Sequence, residues 1–344
     1  MNFEEIFSSI FGKYGKYFTS RLSLIIPAMM RCSSCNLSSI TCALAYFTKQ
    51  NFKANENRVY RFFASKNFLI EDSMWRCYLK LIFKLLKEQK YIREDKQIQI
   101  NIDFTTIKDN FLILYASIPF FGRSVPVYFT IRRYPKRKNQ NSQTKMELAF
   151  IKGLKHVLSK KYSYLIVADR GFGNQRFTKL CLDNGFDYLI RIKGNLLIKF
   201  NDKKALKIDK LGNIQANKNG CKKFKDLFIN AWERKQTIFI ISKEEDLNNK
   251  WYICSSLKEI TTRRAQIIYE DRFCIEKTFY DHKSGGFDLE SSKIDKYDRF
   301  KRLLFCSSLS ISLMVITGRF IKKKNKYMRI FFPYTTGITT AYSV

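Results

Sequence analysis

Lys96-Gln97-Ile98-Gln99-Ile100-Asn101-Ile102-Asp103-Phe104 separates an all-helical protein from one built on a sheet. Ile98, Ile100 and Ile102 alternate with Gln97, Gln99, Asn101 and Asp103, and a period of two places the isoleucines on one face of a strand and the polar residues on the other. Two more strands follow, Phe111 to Ser117 and Val125 to Ile131, parted by the turn-like Pro119-Phe120-Phe121-Gly122. Ser142 then offers an N-cap to a helix whose Phe150, Ile151, Leu154, Val157 and Leu158 share one face. The apolar run Tyr164 to Ala168 ends at Asp169, a helix around Phe177 to Leu182 stops at Asn184-Gly185, and Tyr188 to Ile192 is apolar again. Strand, helix and strand in that order predict a parallel pair with a right-handed crossover.

Upstream, the first 93 residues read as helices, with Leu37, Ile40, Leu44 and Phe47 at helical spacing and Tyr78, Leu79, Ile82, Phe83 and Leu86 on a later face. Between these, Asn55 to Phe63 mixes Arg58, Arg61 and two asparagines with aromatics. After a compact helix and a turn, it reads either as the reading helix of a helix-turn-helix unit or as an amphipathic packing helix with solvated arginines. Downstream, residues 193–249 are lysine-rich with two short β-like runs, Trp251 to Ser255 resumes a strand, and one long helix is expected from Thr262 to Lys283. Leu303 to Ile316 is broken by four serines and falls short of the roughly 20 residues a bilayer span needs, so it reads as a buried helix.

The outline is an α/β fold: a ribonuclease-H-like mixed sheet flanked by helices, interrupted by a small β-rich insertion and preceded by an all-helical N-terminal domain. Expected bounds are 1–93 for the helical domain, 94–192 and 250–320 for the two parts of the core, 193–249 for the insertion and 321–344 for a basic tail.

The formal charge of +33 is extreme for a chain with an ordinary 45% of hydrophobic residues. Self-repulsion of that size is tolerated mainly where a polyanion neutralises it, which puts nucleic acid first and an anionic membrane surface second. Clusters at Arg132, Arg133, Lys136, Arg137 and Lys138, at Lys222, Lys223 and Lys225, and at Lys322, Lys323, Lys324 and Lys326 fit a DNA track. Nine cysteines, an odd number, fit reduced cytosolic thiols. Cys32 and Cys35 form the one CxxC, and without a second ligand pair nearby it reads as structural rather than as zinc.

Asp103 and Asp169 each end an apolar strand, where the crevice of an α/β sheet opens. On the long helix Tyr269, Arg272, Glu276 and Lys283 stand at offsets 0, 3, 7 and 14, within a stripe roughly 60° wide, beside an apolar stripe of Ile268, Ile275 and Phe279. Such a polar stripe is either solvated or pointed into a site. Phosphodiester cleavage needs divalent ions that activate an attacking oxygen and stabilise a leaving one, and hard Mg²⁺ prefers carboxylate oxygen, so three acids without histidine suit it.

Asp103 in Ile-Asp-Phe-Thr-Thr, Asp169 in Ala-Asp-Arg-Gly-Phe-Gly, and Tyr-x2-Arg-x3-Glu-x6-Lys from Tyr269 to Lys283 resemble the DDE transposases of bacterial insertion sequences, specifically the insertion-sequence-four group. The resemblance covers roughly Lys96 to Gly318, and Arg58-Val59-Tyr60-Arg61-Phe62-Phe63 is similar to a piece of the group's DNA-binding region. It implies Asp103, Asp169 and Glu276 as the catalytic and metal-binding triad, holding two Mg²⁺ or Mn²⁺ ions. It also implies that Tyr269, Arg272 and Lys283 hold the transposon end, with Arg58 and Arg61 as further DNA contacts. Expected partners are double-stranded DNA, both transposon ends and target, and a second copy of the chain in the DNA complex. No membrane partner is expected, and the expected place is the bacterial cytoplasm, at the nucleoid. Trp232 is read either as a base-stacking residue or as core.

Rival classes lack their residues. Gly285 stands where a tyrosine recombinase wants arginine three residues after His282, no Gly-x4-Gly-Lys-Ser/Thr loop exists, and Arg176 replaces the last glycine of a dinucleotide loop after Gly171-Phe172-Gly173. The non-enzyme alternative is a catalytically silent, DNA-binding derivative that inhibits transposition.

Overall fold

Short polar side chains set where the helices begin. Asn2, Asn36, Asn51, Asn174 and Thr261 each stand just before a helix and accept hydrogen bonds from its free N–H groups. The computed structural model describes residues 2–134, 140–199, 205–211, 221–229, 232, 234–243 and 246–324. Five α-helices come first: α1 (Phe3–Phe11), α2 (Lys16–Cys32), α3 (Leu37–Thr48), α4 (Phe52–Ala64) and α5 (Asp72–Glu88). Strands β1 (Ile98–Ile107), β2 (Phe111–Phe120) and β3 (Arg123–Arg133) follow, then α6 (Gln140–Val157), β4 (Tyr164–Ala168), α7 (Gln175–Asp183) and β5 (Asp187–Ile192). Next come β6 (Leu197–Lys199), β7 (Leu206–Lys207), α8 (Ile208–Leu211), β8 (Cys221–Ile229), β9 (Gln236–Lys243) and β10 (Asp246–Ser255). The described chain closes with α9 (Thr262–Glu270), α10 (Cys274–Lys283) and α11 (Tyr297–Lys324). Helix α6 starts two residues ahead of the Ser142 cap expected from the sequence.

The strand order is β3-β2-β1-β4-β5-β10-β9-β8-β6-β7. β1 to β3 are antiparallel, β4 lies parallel to β1, and β5 parallel to β4. This is the expected ribonuclease-H-like mixed sheet. Strands of the 193–249 segment lengthen that sheet: β10 pairs with β5 and β9, and it runs through residue 249.

The two faces of the sheet differ. Ile100, Ile102, Ile166 and Ala168 join the main core, whereas Leu165, Val167 and Leu189 belong to a second cluster with Ala265, Ile268 and Tyr269 of α9. Tyr115 of β2 bonds to His282 of α10, and Tyr128 of β3 packs against Phe150 of α6, so α10 and α6 cover opposite faces. The expected single helix from Thr262 to Lys283 is interrupted, because Asp271–Phe273 tighten into a 3₁₀ turn between α9 and α10. Helix α11 is long and apolar enough to cross a membrane by length and composition alone, but 83% of its apolar window is buried inside the protein.

The helical domain is fastened to the core through α11. Arg302 donates from Nε to the carbonyl of Phe68 at 2.7 Å and from a terminal nitrogen to that of Phe63 at 2.9 Å, and Lys301 reaches the carbonyl of Ile70 at 3.1 Å. These cations satisfy carbonyls at and just beyond the C-terminal end of α4, where the helix dipole is negative.

Candidate active site

The register of the parallel strands builds the site. Ile102 is level with Ala168, and Ala168 with Ile190, so the next residues along, Asp103, Asp169 and Arg191, form one row across β1, β4 and β5. They face the side covered by α9, as Val167 and Leu189 do two residues earlier. Asp103 does not end its strand as expected, because pairing with β2 carries β1 on to Ile107. Behind the row, the rings of Phe104 and Phe172 stack 5.4 Å apart with an interplanar angle of 4°, bolting β1 beside Asp103 to the turn after Asp169. That turn also needs Gly173, since a Cβ there would meet the carbonyl oxygen of Arg191 at 2.6 Å.

Helices α9 and α10 bring the remaining groups. Arg272 lies in the 3₁₀ turn, with one terminal nitrogen 3.2 Å from Asp103 Oδ2 and the other 3.3 Å from Glu276 Oε1. Tyr269 donates its hydroxyl to Asp169 Oδ1 at 3.4 Å. The stripe is therefore turned into the protein at its start: Tyr269 and Arg272 are buried, Lys283 is intermediate and Glu276 is exposed. The guanidinium of Arg272 lies 4.5 Å from the centroid of Phe273, and its Nε makes no hydrogen bond.

The electrostatics of the row follow from burial. Desolvation pushes the Asp103 carboxyl up to about 6; Arg272 and the Phe104 N–H oppose this, and Asp169 and Glu276 add to it. Burial pushes the Tyr269 hydroxyl up to about 12 against the pull of Arg272. Asp169 and Glu276 thus repel the ionised Asp103, and Arg272 opposes them. Among the described residues, no group of three or more His, Cys, Asp or Glu side chains is close enough to hold a metal ion. The donors are nonetheless all carboxylate oxygens, and their mutual repulsion is what a hard divalent cation relieves, so the residues fit such an ion in chemistry and charge.

Residues that sequence reasoning missed stand in the same crevice. Arg191 lies near enough to the Tyr269 hydroxyl for its charge to favour the ionised form, and Gln99 and Asn101 bond to the carbonyls of Ile268 and Asp271. The one sequence signal for Gln99 and Asn101 was their place on the same strand face as Asp103, and Asn101 on that face is 0% exposed.

In the helical domain, α3 and α4 are joined by Lys49, Gln50 and Asn51, with Lys49 left-handed at φ 53° and Asn51 capping α4. A three-residue turn thus joins the two helices, with α4 as the second. Buried Asn55 ties the turn together, donating to the Gln50 carbonyl at 3.2 Å and accepting from Thr48 and Arg58, each at 3.0 Å. Arg61 is exposed on α4, and Arg58, held on Asn55, has its proton affinity lowered by burial and by nearby Arg21.

The other expected contacts sort differently. Trp232 is buried beside Tyr188, Gln236 and Leu182, at the end of β5 opposite Asp169, so core packing is the reading it meets. Lys223 donates to the carbonyl of Ile260, while Lys225 pairs with Glu259 at 3.0 Å on the surface and stays accessible to solvent. Lys136, Arg137, Lys138 and Lys326 lie outside the described residues. The CxxC thiols are free, Cys35 is buried, and burial pushes Cys32 up to about 11, which suits a structural pair.

The family model described as transposase DDE domain matches residues 129–313, a span that includes Asp169, Arg272, Glu276 and Lys283 and begins after Asp103. A solved structure of the piggyBac transposase synaptic complex with hairpin DNA is similar to 95% of this chain and 72% of that chain, with 12% identity and a TM-score of 0.46. No curated protein matches in sequence.

Proposed function

The chain belongs to the transposase DDE domain family, and from that premise we propose that it is a transposase of the insertion-sequence-four group that binds the inverted-repeat ends of its element and carries out metal-dependent strand cleavage and strand transfer. The observation that carries this reading is the row of Asp103, inside β1, and Asp169, just past the end of the neighbouring β4, with Glu276 joined to Asp103 through Arg272.

Asp103, Asp169 and Glu276 would hold Mg²⁺ or Mn²⁺, two ions in all, which when bound supply an activated attacking oxygen and stabilise the leaving one. The remaining residues bind and orient. Arg272 offers a fork suited to phosphate and Lys283 a point charge, while Tyr269 orients Asp169 through its hydroxyl. Arg58 and Arg61 on α4 would contact the transposon end, with double-stranded DNA as partner and a second copy of the chain completing the DNA complex. The bacterial cytoplasm, at the nucleoid, is where such a protein meets its substrate.

A linear DNA carrying the flanking inverted repeats, incubated with the protein and Mn²⁺, should be cut at the repeat ends. Binding without cutting at saturating metal and DNA would favour the silent, inhibitory derivative instead. Neither binding nor cutting would sink both readings.

Two expectations follow from particular side chains. Arg61→Ala should weaken DNA binding and flatten the plot of log K against log salt by about 0.9 if Arg61 meets one phosphate. An unchanged slope in a salt titration would remove α4 from the interface. Arg272→Ala should lower cleavage tenfold or more. Because the guanidinium is buried between two acids rather than solvated, the same change should also lower stability, by about 1–3 kcal/mol after discounting for the exposure of Glu276. Urea denaturation reads that cost, and an unaltered midpoint would mean the bridge contributes nothing in solution.

A further inference from the structure

Gln99, Asn101 and Asp103 are alternate residues of β1 and lie on one face. That face is covered by the α9–α10 segment, and each of the three side chains meets it in order. Gln99 donates its amide to the carbonyl of Ile268 at 2.8 Å and to the side-chain oxygen of Asn101 at 2.7 Å. Asn101 donates to the carbonyl of Asp271 at 2.9 Å. Asp103 accepts from Arg272 at 3.2 Å. Strand and helix therefore run side by side in the same direction, in a defined register.

The spacing makes the match possible. Two strand residues advance about 6.6 Å, and three helical residues about 4.5 Å, so the longer Gln and the shorter Asn take up the difference. The lower carbonyl comes from the last turn of α9 and the upper one from the 3₁₀ turn that separates α9 from α10. Apolar contacts between α9 and the sheet bury area but are non-directional, and they tolerate sliding. Directional amide bonds do not. A slip of one residue would rotate Glu276 by about 100° about the helix axis, away from Asp103.

We infer that Asn101, with Gln99 as its support, is a positioning residue of the strand-cleavage site: it clamps the helix break so that Glu276 and Arg272 stand opposite Asp103. This rests on the reading of the three acids as the metal site. Asn101 touches neither metal nor DNA in this role; it acts through the main chain of Asp271.

The test compares parent, Asn101→Leu, which keeps the side chain's size without its amide, and Gln99→Met at a partly exposed position. Mn²⁺ binding is read by electron paramagnetic resonance on the protein with and without end DNA, cleavage by gel assay, and the exchange of the 269–276 amides by mass spectrometry. For Asn101→Leu the expected result is at least tenfold weaker Mn²⁺ binding, at least tenfold slower cleavage, and faster exchange confined to 269–276, with DNA affinity within twofold. Gln99→Met should move the same readouts in the same direction by a smaller factor, and it serves as the deciding variant if Asn101→Leu does not fold. Lowered thermal stability with Mn²⁺ affinity and cleavage unchanged would make the clamp merely structural and overturn the inference. A parent that binds no Mn²⁺ in either state would overturn the reading of the acids, and the clamp with it.

Discussion

Asp169→Asn is expected to lower strand cleavage by about 10³-fold or more while leaving DNA affinity within about twofold. A divalent ion at a phosphoryl oxygen is worth several kcal/mol of transition-state stabilisation, and each 1.36 kcal/mol is a decade in rate. Losing one carboxylate ligand removes much of that without touching a phosphate contact. Asp103→Asn and Glu276→Gln should fall in the same range, and because ligands of one site act as a unit, the double substitutions should add little to the single ones. The stability effect has the opposite sign at Asp103. Its carboxyl is raised from the usual range to about 6 by burial, so at pH 7 the ionised group weakens the fold, and Asp103→Asn should leave stability level or raise it. Cleavage at the parental rate by any of the three variants, with metal below saturation, would remove that residue from the site.

His282 should make the protein lose stability in mild acid by roughly 5 kcal/mol in total. Its ring is 2% exposed, with Nε2 2.7 Å from the Tyr115 hydroxyl and Nδ1 3.2 Å from that of Ser307, and burial lowers it from 6.5 to about 3. A proton therefore binds the unfolded chain near pH 6.5 but the folded one only near 3, so the unfolded state takes up the extra proton between those values. Stability falls as pH falls through that window, at up to 1.36 kcal/mol for each pH unit. Asp103 works the other way between about 4 and 6, where the folded state binds the extra proton. The diagnostic quantity is thus the difference between parent and His282→Gln, followed by urea denaturation from pH 7 down to pH 4. The parent should lose relative to the variant along that descent. Parallel curves would mean that the ring keeps its proton on folding.

Local sequence carried the elements well. The alternation around Ile100 placed β1, the order of strand, helix and strand gave the parallel pair of β4 and β5, and Asp169 was legible as the end of an apolar run, whereas the end expected at Asp103 was not there because pairing with β2 carries β1 on to Ile107. The charge of +33 likewise needs no fold to point toward a polyanion.

Tertiary structure decided what each polar side chain faces. Periodicity along Thr262 to Lys283 described one continuous amphipathic helix, yet the segment tightens at Asp271–Phe273, where carbonyls are held by side chains from a strand some 170 residues away in sequence. The same packing buried Arg272 between Asp103 and Glu276, where the stripe by itself left solvent and site both open, and enclosed Asn101. It also merged the 193–249 strands into the main sheet and set Lys223 on the carbonyl of Ile260. A period reports which residues share a face. Whether water or another element covers that face depends on contacts between distant segments, and in this protein those contacts turn a polar strand face into the wall of a site.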